Sequence, residues 1–157
     1  MYFHFNKTFI LLFLIPFLFL SCTAKNIDLL VKDSVYKKGS EYTKLKTIIK
    51  DNDVKGIINI TYLNPVYPKK FDNNYNEFLV GIYLDDFTDD YMMYLNDKRY
   101  ISNNLISKDT KLYKNIPVFN PHAKYYIYKF KKDNEEKITL VFSHKIYGDI
   151  NFKFKSY

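Results

Sequence analysis

The chain has 157 residues, a formal charge of +7, 47% hydrophobic and 19% aromatic residues. That length favours one domain, and the aromatic and β-branched content excludes a disordered polar chain. A single cysteine excludes an intrachain disulfide.

The N-terminus opens with one Lys, Lys7, followed from Phe9 by an apolar run ending at Leu20 and interrupted by Pro16. A membrane-spanning helix needs ~20 apolar residues, whereas a secretory h-region needs ~7–15. The run has signal-peptide length. Its end and the two residues after it read Leu18-Phe19-Leu20-Ser21-Cys22. This resembles the lipobox of bacterial lipoprotein precursors: apolar residues, a small residue, then the cysteine that accepts lipid on sulfur. Phe19 and Leu20 depart from the commonest pattern. Ordinary secretion with cleavage near Ala24 and an uncleaved anchor are the competing readings. The resemblance implies a signal peptide over 1–21, lipid attachment (diacylglycerol and a fatty acid such as palmitate) at Cys22, and a location in the bacterial cell envelope. The outer membrane is preferred over the inner. It covers only the leader and says nothing of the fold.

Residues 22–39 then read as a polar tether with room for a short helix, and the β-rich domain is expected over 40–157. Losing Lys7 with the leader leaves 23 basic against 17 acidic groups, a charge of +6. All the basic residues but Arg99 are Lys, which lacks the planar fork that reads bases and phosphates. No nucleic-acid partner is expected of an exported chain with this basic set.

From Thr43 the hydrophobic pattern has a period of two. Thr43–Lys50 sets Leu45, Thr47 and Ile49 on one face and Lys44, Lys46, Ile48 and Lys50 on the other. A helical stripe through Tyr42, Leu45, Ile48 and Ile49 is the alternative. Asp51-Asn52-Asp53 is a turn leading to a strand over Gly56–Leu63, which Asn64-Pro65 ends. A long polar loop crosses to Glu77–Asp85, where Phe78, Val80, Ile82 and Leu84 share a face and Leu79 and Tyr83 the other. That pattern predicts a central strand covered on both sides. Tyr91–Leu95 and Arg99–Ser102 form a second hairpin around Asn96-Asp97-Lys98. A weakly patterned stretch runs through Leu105, Ile106, Leu112 and Ile116–Phe119. Lys124–Lys131, Lys137–His144 and Ile150–Lys155 are the clearest strands. Their inward rows are Tyr126, Tyr128, Phe130; Ile138, Leu140, Phe142; and Ile150, Phe152, Phe154. Asn151, Lys153 and Lys155 are wet. About eight short strands predict an all-β fold, an antiparallel sandwich (immunoglobulin-like by preference) or a related barrel. The Cys…Trp…Cys signature of immunoglobulin domains is absent.

The pattern carries little chemistry. His122 and His144 are expected at strand ends, at opposite ends of one hairpin, without metal-ligand spacing. Asp85, Asp86, Asp89 and Asp90 are the densest acidic group and only a weak Ca²⁺ candidate, because they come in adjacent pairs and lack a turn Gly. Ser143 and His144 are strand neighbours and cannot pair as nucleophile and base. No cofactor and no enzymatic activity are expected. The best candidate for binding is the loop after Asn64, where Lys69 and Lys70 stand beside Tyr67, Phe71 and Tyr75. The competing reading tucks Tyr67 and Phe71 in as packing anchors. The expected function is recognition of a protein or envelope component by a non-catalytic lipoprotein domain. A small-molecule or ion carrier with a cavity between its sheets, or a structural accessory of an envelope assembly, is the alternative.

Overall fold

The computed structural model describes residues 26–86, 89–107, 110, 112, 117 and 120–157. The signal peptide and Cys22 lie outside them, as do Ile116, Val118 and Phe119. The chain divides into two compact units, residues 1–34 and 35–157. Of the first, only helical residues from Asn26 on are described. Helix α1 (Asn26–Glu41) occupies most of the expected tether. The rest of the description concerns the second unit.

Among the described residues nine strands follow: β1 (Thr43–Lys50), β2 (Asp53–Tyr62), β3 (Tyr75–Leu84), β4 (Tyr91–Leu95), β5 (Lys98–Arg99), β6 (Ser102–Leu105), β7 (Lys124–Lys131), β8 (Lys137–His144) and β9 (Gly148–Lys155). A single helical turn, α2 (Leu63–Val66), follows β2. One sheet has the order β1-β2-β3-β7-β6 and the other β5-β4-β8-β9. Every pairing is antiparallel. The expected all-β sandwich is present, and it is not a closed barrel. Without β1, the connectivity is that of an immunoglobulin-type sandwich. β2-β3-β7-β6 take the places of A, B, E and D, and β5-β4-β8-β9 those of C′, C, F and G.

Two hairpin turns set the register by the same device. Asp51 and Asn52 have φ of 54° and 60°, and Asn96 and Asp97 have 46° and 63°. Two-residue loops with both φ positive match the right-handed twist of their strands, and Asn and Asp tolerate that conformation. Lys50 therefore faces Asp53, and Leu95 faces Lys98.

The inner faces make one core. Ile58, Ile60 and Tyr62 from β2 and Phe78, Val80 and Ile82 from β3 meet Leu140, Phe142, Phe152 and Phe154 from the opposite sheet. Phe154 lies 6.1 Å from the ring of Tyr62 and 5.5 Å from that of Phe78. The expected inward rows of the last three strands all lie in this core or against it. One relation differs. β7 belongs to the first sheet and β8 to the second, so His122 and His144 do not flank a hairpin. The connection Lys132–Glu136 changes sheets instead. The expected hairpin strand Arg99–Ser102 is a second difference: β5 takes in Lys98 and ends at Arg99, and Ser102 opens β6 in the other sheet, where Ser-Asn-Asn-Leu has no apolar alternation and its pairing depends on β7.

β3 is buried on both faces as its sequence predicts. Its outer face, at Leu79, packs with Leu63, Ala123 and Tyr125, and with the half-buried Tyr67 and Phe71. The segment after β2 thus covers the middle of the first sheet.

Candidate functional site

That covering segment is the loop singled out by sequence, and its aromatic residues are anchors. Asn64 is buried and holds the loop from within. Its Oδ1 accepts from the Glu77 N–H (2.8 Å), and its Nδ2 donates to the carbonyls of Tyr75 (2.9 Å) and Asp72 (3.3 Å). The rings of Tyr67 and Phe71 pack 6.2 Å apart. Lys70 Nζ lies over both, at 5.7 and 5.9 Å. Tyr75 already belongs to β3, where Lys129 Nζ stands 3.8 Å over its ring. Lys69 is exposed. The structure thus brings Tyr67, Lys70 and Phe71 together, leaves Lys69 outward, and places Tyr75 apart from them.

The acidic group is dispersed among separate partners. Asp85 Oδ2 lies 3.5 Å from Lys55 Nζ, Asp86 Oδ2 accepts from the Tyr147 hydroxyl at 2.9 Å, and Asp89 pairs with Lys124 at 3.1 Å. The Asp90 carbonyl accepts from the Lys145 N–H. Among the described residues no three metal-ligating side chains converge. His144 is buried, with Nδ1 accepting the Ile146 N–H at 3.1 Å and its ring stacked 4.6 Å from Tyr147. His122 is exposed beside Tyr83, at the mouth of a cleft of about 380 Å³.

The strongest unsatisfied chemistry lies at the other end, along the edge strand β9. Here an open groove of about 1040 Å³ is lined by Lys137, Thr139, Lys153, Phe154 and Lys155, among others. Its origin is the register. Lys137 and Lys155 are direct partners across β8 and β9, and Lys153 follows opposite Thr139. Like charges opposite one another destabilise a sheet. All three lysines are exposed. Among the described residues none of them makes an ion pair or hydrogen bond through its side chain. The groove also holds carboxylates: Lys98 Nζ holds Asp133 at 2.8 Å, Asn96 Nδ2 donates to Glu135 at 2.6 Å, and Glu136 lines it beside Lys137.

Two further lysines reach the same edge from the opposite sheet. β1 turns Lys44 and Lys46 toward the inner side, where their Nζ atoms lie 5.7 Å from the Phe154 ring and 5.8 Å from the Phe152 ring. Their aliphatic stems cover the open side of the sandwich while the charges stay wet. β9 is therefore bordered by lysines on both of its faces. Lys153 and Lys155 were legible only as a wet face. Their meeting with Lys137, Lys44 and Lys46 needed the strand order, although the repeated Lys-x-Lys of β1 and β9 is the signal that pointed there.

No protein-family model matches the sequence, and comparison with curated proteins and with solved structures gives no significant match.

Proposed function

We propose that the chain is a non-catalytic recognition domain, held at a bacterial envelope membrane through lipid on Cys22, and that it binds an acidic segment of a protein partner at the lysine-bordered edge of β9. One observation carries the reading: Lys137 and Lys155 face each other, with Lys153 beside them, and among the described residues none of the three is ion-paired. An arrangement that costs stability in the free domain becomes favourable when a carboxylate-bearing partner supplies the missing charge. Steering by such a patch raises encounter rates with acidic partners and weakens with salt. The lipid anchor supports the same reading, because it fixes the domain at the surface where an envelope partner would be met.

The test uses the full lipidated chain in neutral phosphatidylcholine vesicles and a fluorescent glutamate-rich peptide. Replacing Lys137, Lys153 and Lys155 together by Gln should weaken binding by about tenfold or more, since each 1.4 kcal/mol is tenfold, and should flatten its salt dependence. Unchanged binding by that variant would remove the edge lysines from the function.

A further inference from the structure

We propose that the acidic partner adds to β9 as an extended strand, becoming the fifth strand of the β5-β4-β8-β9 sheet. This rests on the acidic-segment reading above and names how the segment is held.

The ladder of β8 and β9 shows which backbone groups are open. The Ser156 N–H donates to the Glu136 carbonyl at 2.8 Å, and the register from Lys137↔Lys155 to His144↔Gly148 runs without a shift. Hydrogen-bonded and non-hydrogen-bonded pairs alternate along an antiparallel ladder. Phe154, Phe152 and Ile150 therefore direct their N–H and C=O toward β8. Lys155, Lys153 and Asn151 direct theirs away from it, along the free edge of the sheet. Among the described residues no strand pairs with this row, and such a row of donors and acceptors is the template on which strand addition builds. The same alternation makes Lys137 and Lys155 a non-hydrogen-bonded pair, the kind in which side chains approach more closely.

The side chains around the edge select the sequence that would dock. In an added strand, successive side chains point to opposite faces. One set falls on the outer face beside Lys153 and Lys155. The other falls on the inner side, level with Phe152 and Phe154, where Lys44 and Lys46 reach over from β1. Both sets meet ammonium groups, so carboxylates are favoured on both faces of the incoming strand. A second copy of this chain that presents its own β1 or β9 edge is repelled. The lysines thus oppose pairing of these two edges with each other and admit a segment of opposite charge.

The experiment uses the full lipidated chain in neutral vesicles and two glutamate-rich peptides of one sequence, each as long as β9. The second has every backbone nitrogen methylated, which keeps its charge and removes the ladder donors of both strand edges, whereas alternate methylation would leave one edge intact to face β9. The chain should bind the unmodified peptide about tenfold more tightly than the methylated one. Asn151→Pro should also weaken binding of the unmodified peptide. Its lost N–H faces the free edge, where proline is tolerated and the β8 ladder is spared, and circular dichroism checks that the variant is folded. Should the proline variant unfold, the peptide pair still decides. Equal affinity for the two peptides overturns strand addition and leaves charge alone, which an anionic lipid surface would also satisfy, as what the edge reads. Failure of both peptides to bind overturns the acidic-segment reading and this inference with it.

Discussion

Gly81 lacks a side chain where the ring of Tyr125 needs the space. The two residues are partners across β3 and β7, and a Cβ on Gly81 would lie 2.5 Å from the ring and collide with Asn59 on the other side. Tyr125 is buried and its hydroxyl accepts the Asn120 N–H at 2.8 Å, which ties the segment before β7 to the sheet. The glycine therefore lets an aromatic ring cross the middle of the strand pair and anchor a loop.

Gly81→Ala should consequently destabilise the domain by about 1–3 kcal/mol or more, the usual cost of overpacking. Urea denaturation measures it. A change within about 0.5 kcal/mol, typical of surface sites, would mean that the ring moves aside freely.

Reversing one charge at the lysine edge should separate stability from binding. Lys155→Glu places a carboxylate opposite Lys137 and should raise stability by roughly 0.2–1 kcal/mol, the size of a cross-strand pair. The same change should weaken capture of a glutamate-rich peptide. Both falling together would show that Lys155 is needed for the fold.

Alkaline pH should unfold the domain through buried tyrosines. Burial pushes the Tyr62 hydroxyl up to about 12 from an ordinary 10.0. Burial likewise raises Tyr91, which lies within hydrogen-bonding reach of Tyr126 and Tyr128, and Tyr128 itself. A proton held more tightly in the folded state gives stability that is complete below the unfolded value. For Tyr62 it is lost as pH rises from about 10 through about 12. Tyrosinate absorbance followed together with circular dichroism should show these groups ionising as the fold is lost. Tyr62→Phe should remove part of the pH dependence. It also removes the 2.6 Å bond to Asn76 Oδ1 and should cost about 1–3 kcal/mol at neutral pH, because a buried amide is left unsatisfied.

The loop over the outer sheet face gives a contrast between charge and packing. Replacing Lys69 and Lys70 by Glu should change stability by less than about 0.5 kcal/mol. Tyr67→Phe should be neutral or slightly stabilising. Among the described residues its buried hydroxyl has no hydrogen-bond partner, and removing such a group leaves nothing unsatisfied. Thermal melting of both variants tests the assignment.

Membrane attachment is expected to depend on the thiol. Cys22→Ala should shift the chain from the detergent phase to the aqueous phase. Continued cleavage with unchanged membrane binding would end the lipid-anchor reading.

The sequence by itself determined the fold class, because period-two alternation is local. Phe78, Val80, Ile82 and Leu84 must share a face in any strand, and Leu79 and Tyr83 on the other face marked β3 as doubly covered. Asp51-Asn52 and Asn96-Asp97 were readable as turns for the same reason: they tolerate positive φ wherever they stand. The sheet membership of each strand was not local. Nothing in Lys124–Lys131 or Lys137–His144 tells whether the connection between them turns back or crosses over. Only long-range packing put β7 with β3 and β8 with β4. β1 shows the limit most plainly, since its two faces were visible but not their direction. The tertiary structure turned Ile48 into the core and Lys44 and Lys46 toward β9, leaving Leu45 and Ile49 in solvent. The candidate site needed the same information. Five lysines spread from position 44 to position 155 are ordinary wet residues in the sequence, and only strand order and register gather them at one edge.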